Sequence, residues 1–396
     1  MKLTTAITAF VAMTFALPAA ADETTFSQCL QGLQARASRE GIAQSIVDSA
    51  LANAQYEQRV IDLDRRQPEF TETLANYLNR RLTADRIEQG RELMRKHRSL
   101  LQRVAREHGV QPQYLVAFWG LETNFGKNVG AIPVMNSLTT LACDERRSEY
   151  FTTELLNALR ILNRGDIEVA NMVGSWAGAM GQTQFMPSAY LKYGVDGDGD
   201  RRIDLWRSIP DALTSAGGFL QSLGWQEGVR WGREVQLPKQ FAFEQAGLDQ
   251  ARALKEWREL GIKDAHGHAL PRQDLQASLF VPAGHRGPAF LVYDNFHVIM
   301  RWNRSELYAL AVGLLAERIS GAPELRNPPP ANAVRLHRDQ VLALQTKLTE
   351  LGFDAGNADG VLGPGTRKAI RAFQQARKLV ADGYPDAEVL AALGVS

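Results

Sequence analysis

Apolar residues recur at three- and four-residue intervals along most of the chain, and this spacing predicts a mainly α protein with a smaller strand-bearing part. Through 26–106, polar and arginine-rich segments carry apolar positions such as Ile42, Ile46, Val47 and Leu51. Gln67-Pro68-Glu69-Phe70 interrupts that run, and Pro68 is expected to open a helix carrying Leu74, Tyr77 and Leu78. Pro112 opens another, through Leu115-Val116-Ala117-Phe118-Trp119. Continued as a helix, it sets Leu115, Phe118, Trp119 and Glu122 at i, i+3, i+4 and i+7. A carboxylate therefore joins a core-facing stripe.

Two effects are expected to act on Glu122 together. Apolar neighbours disfavour its charged form, and so does the negative end of the helix beside the turn at Gly126. A carboxyl kept protonated near neutral pH can give its proton to a leaving oxygen, as cleavage of a glycosidic bond requires. A glutamate that caps a turn or pairs with an arginine is the alternative, and for a lone Glu on an apolar face it is the better reading, so the rest of the chain must decide.

Residues 174–187, Gly-Ser-Trp-Ala-Gly-Ala-Met-Gly-Gln-Thr-Gln-Phe-Met-Pro, suit neither a regular helix nor a strand. Small residues let backbone approach closely, and Gln182 and Gln184 offer both donors and acceptors. Such a segment fits one wall of a sugar groove or a tightly packed core turn. Asp196-Gly197-Asp198-Gly199-Asp200-Arg201-Arg202-Ile203-Asp204 follows, with oxygen ligands at positions 1, 3, 5 and 9 of a calcium-type loop. Arg202 would add its backbone carbonyl. Arg201 replaces the turn glycine and Arg207 the closing glutamate, so a weak site for Ca²⁺ or Na⁺ is expected, holding a surface loop; a plain acidic turn is the alternative.

Beyond a helical run through 212–223, short strands are expected at 234–237, 277–281 and 290–293, with a helix over 248–260 between them. They form a small α+β insertion at about 228–298. A strong helix over 306–319 precedes a Pro-rich linker, 322–334, containing Pro328-Pro329-Pro330. The remainder, 335–396, reads as a compact helical module. Val341, Leu344, Leu348 and Leu351 lie along one helix, Ala369, Ile370 and Phe373 along another, and Thr366 is the expected N-cap between them.

The amino terminus alters the expected compartment. Lys2, an apolar run over 7–17 and Ala19-Ala20-Ala21 form an export signal over 1–21, cleaved near Ala21 and Asp22. The run is too short for a retained span, and Gln28 before Cys29 argues against a lipid anchor. A soluble periplasmic protein is expected. Cys29 and Cys143 could pair there or remain buried thiols, and neither belongs to a zinc-type cluster. A formal net charge of +1 gives no ground for a nucleic-acid partner.

Glu122-Thr123-Asn124-Phe125-Gly126, the 174–187 segment, the 196–206 loop, Asn303-Arg304-Ser305 and Arg66-Gln67-Pro68-Glu69-Phe70 stand in an order that resembles the lytic murein transglycosylases of the B type. From 335 to 393, Leu344-Gln345, Leu351-Gly352-Phe353, Asp359-Gly360, Gly363, Thr366 and Phe373-Gln374 resemble the type 1 peptidoglycan-binding domain. The resemblance implies a lysozyme-like catalytic domain over 22–321, with extra N-terminal helices, acting as a carbon–oxygen lyase on peptidoglycan glycan strands. It implies that Glu122 alone serves as acid and then base, with no cofactor required, and that a 1,6-anhydro sugar end forms without water. Ser175, Gln184, Phe185 and Met186 would line the groove, with Asn303 and Tyr308 on the opposite wall. Trp302 stands where the family commonly has tyrosine, so one hydrogen bond near the acid is expected to be lost while stacking area is kept. Other cell-wall enzymes are possible partners. A hydrolytic muramidase, or a non-catalytic peptidoglycan-binding scaffold, would share most of these residues.

Overall fold

A computed structural model describes residues 19–65 and 72–395, with side chains from Thr25 onward. The expected signal lies largely outside the described residues, as does Arg66-Gln67-Pro68-Glu69-Phe70.

Helices α1 (Ala19–Arg39), α2 (Gln44–Leu51) and α3 (Gln58–Arg65) open the chain. Next come α4 (Leu74–Arg81), α5 (Ala84–Lys96), α6 (Arg98–His108) and α7 (Pro112–Thr123). Leu74, Tyr77 and Leu78 are buried on α4, but that helix starts after Thr73, whose hydroxyl accepts the Asn76 N–H; Pro68 does not begin it. Strand β1 (Ile132–Pro133) leads into α8 (Val134–Ala142) and α9 (Ser148–Arg164), and pairs antiparallel with β2 (Val173–Gly174). Helices α10 (Pro187–Tyr193) and α11 (Ile209–Ser222) flank the acidic loop.

Two apolar cores divide this helical body. One gathers α4 to α7 with α11 and the helices that follow the sheet, around Phe118, Trp119, Trp231 and Phe296. The other gathers α1 to α3 with α8 and α9, around Leu138, Phe151, Leu159 and Phe185. Trp302 packs against both. A disulfide joins Cys29 on α1 to Cys143 at the end of α8, so the two cysteines pair.

The insertion is an antiparallel five-stranded sheet. Its strands are β3 (Gly232–Gln236), β4 (Ala251–Ala253), β5 (Lys263–Asp264), β6 (Gln276–Phe280) and β7 (Ala289–Val292), in spatial order β4-β6-β7-β3-β5. Register is set by pairs such as Arg233 with Leu291 and Leu279 with Leu291. The helix expected over 248–260 shortens to α12 (Leu254–Glu259), because 251–253 pair with 276–278 as an edge strand. Helices α13 (Asp294–Trp302) and α14 (Glu306–Ile319) return the chain to the first core.

The carboxyl-terminal module has its own core and three helices, α15 (Arg338–Glu350), α16 (Pro364–Ala376) and α17 (Ala387–Leu393). Two buried glutamines knit it. The Gln345 amide holds Asp359, Gly360 and Thr366, and the Gln374 amide holds Asp382 and Gly383. Thr366 is therefore not the N-cap; Gly363 and Pro364 start α16 and the Thr366 hydroxyl points inward to Gln345. Leu351 lies just past α15 and is exposed. The module docks on the sheet insertion through Asp382, which accepts the His285 backbone N–H at 2.8 Å and lies 2.6 Å from His285 Nδ1. Glu234 accepts the backbone N–H groups of Arg326 and Asn327, which ties the linker to β3. Among the described residues no helix is long and apolar enough to cross a membrane.

Candidate active site

Helix α7 delivers Glu122 to the seam between the two cores. Pro112 fits the first turn, where its missing N–H has no helical partner to lose. The helix stops because Asn124, Phe125 and Gly126 take left-handed backbone, with φ of 51°, 61° and 82°. Leu115, Phe118 and Trp119 are buried as their spacing predicts, and Glu122 is half-buried in the last turn.

Each residue of the Glu122-to-Gly126 motif has a definable task. Thr123 is buried; its hydroxyl donates to the Gln182 carbonyl at 2.7 Å and accepts the Gly126 N–H at 2.9 Å. Asn124 is a tolerated left-handed cap. Phe125 folds back over Gly120, where an added Cβ would meet its ring at 2.8 Å. At Gly126 a Cβ would meet the Gln182 Oε1 at 2.6 Å, in addition to the positive φ. Gln182 also accepts the Trp119 indole N–H at 3.0 Å. The 174–187 segment is thus locked beneath the turn that carries Glu122.

The opposite side comes from the α13–α14 connection. Ser305 caps α14 by accepting the Tyr308 backbone N–H, and the Asn303 side-chain oxygen accepts the Ser305 N–H at 3.1 Å. This brings two donors to one atom. The Trp302 indole N–H donates to Glu122 Oε1 at 2.9 Å, and the Tyr308 hydroxyl donates to the same oxygen at 2.5 Å. The hydrogen bond expected to be lost with the family tyrosine is therefore supplied by the indole. Trp302 is held by the rings of Phe118, Phe185 and Phe219, with centroids 4.7, 5.5 and 5.0 Å away. Burial, and then the Glu122 charge, push the Tyr308 hydroxyl well above its ordinary value, so it remains a proton donor.

Phe185 does not line a groove with its side chain. It is 1% exposed and supports Trp302 from below, while its backbone pairs in both directions with Met180. Gln184 has φ of 53°, and its amide donates to the carbonyls of Val129 and Gly181. The Ser175 hydroxyl accepts the N–H groups of Ala177 and Ala179. Met186 is half-buried at the N-cap of α10. The structure thus brings Trp302 and Tyr308 directly onto Glu122, and places Ser175, Gln184 and Met186 in the shaping of the neighbouring loop.

In the acidic loop, Arg201 takes the left-handed conformation of the missing glycine, with φ of 72°. Carboxylate oxygens of Asp196, Asp198 and Asp211 all lie within 4.8 Å of one another. Asp211, in the first turn of α11, was not among the expected ligands, and it lies beyond the twelve positions of the loop pattern. The signal that could have found it is Ser208-Ile209-Pro210-Asp211, a helix start that turns a first-turn carboxylate back toward the loop. Asp204 differs from its expected role: its Oδ1 accepts the N–H groups of Trp206 and Arg207 and shapes the following turn. Asp200 Oδ1 accepts the Arg202 N–H. Burial works upward on Asp196, but backbone N–H groups from Arg201, Gly199 and Asp200 outweigh it and hold the carboxyl below its ordinary value. Burial raises Asp211 against its own hydrogen bonds. Three hard oxygen donors in one small volume fit Ca²⁺ chemistry.

A half-buried glutamate at a helix end, addressed by two side-chain donors from α13 and α14, thus sits at the seam of a lysozyme-like helical body. Residues 25–317 match the transglycosylase SLT domain, and 337–393 match the putative peptidoglycan binding domain. The chain belongs to the B-type lytic transglycosylase family and carries a C-terminal peptidoglycan-binding domain. It is 31% identical over 255 residues to the membrane-bound lytic murein transglycosylase B of Escherichia coli (strain K12); the match covers 62% of this chain and 66% of that protein. SltB3 from Pseudomonas aeruginosa, solved in complex with NAG-anhNAM-pentapeptide, shares 43% identity at a TM-score of 0.90, covering 93% of this chain and 99% of that one. The E. coli lytic transglycosylase SLT35, solved in complex with calcium, shares 27% identity at a TM-score of 0.63, covering 75% and 92%.

Proposed function

We propose that this protein cleaves the β-1,4 bond between N-acetylmuramic acid and N-acetylglucosamine in peptidoglycan without water, leaving 1,6-anhydro-N-acetylmuramic acid ends, with Glu122 as the one catalytic acid and base. The observation that carries this reading is the pair of donors on Glu122 Oε1. An indole N–H can only donate, so Oε1 is an acceptor in both protonation states and the transferable proton is assigned to Oε2. In the first step that proton passes to the glycosidic oxygen as the C1–O bond breaks. The two donors then stabilise the carboxylate that remains. In the second step the carboxylate takes the proton of the muramoyl 6-hydroxyl as that oxygen bonds to C1, restoring the acid. The helix end and the Phe118 and Trp302 rings disfavour the charge, while the donors favour it; an acid that must become a base needs both.

The family membership and the carboxyl-terminal module support glycan strands as the substrate. The Cys29–Cys143 disulfide supports an oxidising compartment, in keeping with removal of 1–21 and a periplasmic location. Asp196, Asp198 and Asp211 would hold a structural Ca²⁺ or Na⁺, with no part in the chemistry. The direct test of the acid is Glu122→Gln on purified cell wall. Turnover should fall by about 10²–10⁴, the range that general acid–base catalysis contributes; equal turnover by both proteins would remove Glu122 from the mechanism.

A further inference from the structure

A cavity of about 460 Å³ opens where β3 of the sheet insertion, the last turn of α14 and the linker meet. Its volume is within the range of small-molecule sites. Leu78 and Leu82 at the end of α4, Leu314 on α14, and Leu325 and Pro328 beyond it give the cavity apolar walls. Four arginines and four carboxylates line it as well, so net charge alone selects no ligand. The hydrogen bonds do.

Every one of the four carboxylates is already engaged. Glu234 accepts the backbone N–H groups of Arg326 and Asn327, one on each oxygen. Asp264 Oδ1 accepts the N–H groups of His266 and His268, and its Oδ2 lies 3.2 Å from His268 Nδ1. Glu317 pairs with Arg230, and Glu324 with Arg318.

The donors are not all used. Arg233 on β3 has no carboxylate within 4 Å among the described residues, and its Nε is buried without a hydrogen-bond partner. The Tyr293 ring backs its guanidinium, whose carbon lies 5.6 Å from the ring centroid. Arg318 spends both terminal nitrogens on Glu324 Oε1, each at 3.2 Å, while its Nε is likewise buried and unpartnered. A buried N–H without an acceptor is costly to leave unmade. Two of them, brought to one cavity from a strand and a helix, call for an acceptor that the protein does not supply. Nε and the adjacent terminal nitrogen of a guanidinium match two oxygens of one carboxylate or phosphate, a geometry that a single water does not meet.

We propose that this cavity binds a small oxyanion on a short apolar stem, its carboxylate or phosphate held by Arg233 and Arg318 and its stem lying along Leu78, Leu82 and Leu314. The ligand also pins the linker. Glu234, next to Arg233, already ties Arg326 and Asn327 to β3, and Leu325 and Pro328 close the cavity from the linker side. A filled site therefore fixes the segment that carries the carboxyl-terminal module. A soluble phosphate ester or carboxylate and the headgroup of an anionic lipid offer the same chemistry.

The test uses the full chain, with hexyl phosphate, inorganic phosphate, hexanol and phosphatidylglycerol vesicles as probes. By calorimetry, wild type should bind hexyl phosphate more tightly than inorganic phosphate and should not bind hexanol. Arg233→Gln and Arg318→Gln should each weaken hexyl phosphate by about tenfold or more, the loss expected for a hydrogen bond to a charged group. Loss in both, from separate elements, guards against a fold defect in either. Arg233→Lys, which keeps the charge but not the fork, should bind as weakly as Arg233→Gln. In wild type, hexyl phosphate should slow tryptic cleavage after the exposed Arg326 severalfold. Vesicle binding that disappears in the variants assigns the anion to a lipid headgroup, and binding of hexyl phosphate without vesicles assigns it to a soluble molecule. Equal binding by wild type and both Gln variants, or a wild type that binds neither hexyl phosphate nor vesicles, overturns the site. Binding that leaves the tryptic rate unchanged overturns the pinning of the linker.

Discussion

The indole N–H of Trp302 donates to Glu122 Oε1 at 2.9 Å, across 180 positions of sequence. A ring that supplied only stacking would leave that oxygen to Tyr308 alone. Trp302→Phe should keep the packing against Phe118 and Phe219 but remove a hydrogen bond to a charged acceptor, worth about 1.5–3 kcal/mol. Activity on soluble glycan fragments should fall roughly 10- to 100-fold with little change in melting temperature. Trp302→Tyr, which restores a donor, should lie between the two. Equal activity in all three would show that the indole does not steer the acid.

Asp211 defines the cation prediction. Asp198→Ala should lower the melting temperature only when calcium is present, because it removes one of three converging carboxylates, while Asp211→Asn should abolish the calcium-dependent rise and also cost stability without calcium, because Asp211 accepts the Gly197 and Asp204 N–H groups. Wild type should lose its calcium-dependent rise in chelator. A melting temperature identical in calcium and in chelator for wild type would rule out the site.

Two histidines give the stability a pH dependence with a definite sign. Burial lowers His297, helped by Arg301 and opposed by Asp294, and burial with Lys96 lowers His97. Both are below the ordinary value of 6.5 when folded. Above that value neither state binds the proton and the full stability is present; as pH falls below it, the unfolded chain takes up protons that the folded chain refuses. Stability should therefore decline from about pH 6.5 down to the folded values, ahead of the main carboxylate range. The raised Asp211 works in the opposite sense, so the histidine contribution is read by difference. Urea midpoints at pH 7.5 and 5.5 should differ less in a His97→Gln, His297→Gln double variant than in wild type. An unchanged difference would assign the slope to other groups.

Periodicity made α7, α14, α15 and α16 legible, because their apolar stripes face cores that pattern alone can locate, whereas the short α17 went unread. It also placed Glu122 correctly on a core-facing stripe. What it could not show was direction across the seam. The motif resemblance assigns Phe185 to the groove, yet its ring is needed under Trp302. Trp302 in place of tyrosine suggests a lost hydrogen bond because residue type does not reveal where an indole N–H points. Asp211 escaped because its convergence on Asp196 depends on the angle at which α11 starts. The edge strand at 251–253 escaped because three residues carry too little alternation to compete with a helical pattern.

The most direct measurement of the central claim is mass analysis of the fragments released from purified cell wall. A single Glu122 that gives its proton and then takes one from the muramoyl 6-hydroxyl predicts 1,6-anhydro ends, about 18 Da lighter than reducing ends because no water is added. Hydrated reducing ends from wild-type protein would contradict that account and assign the site to a hydrolase.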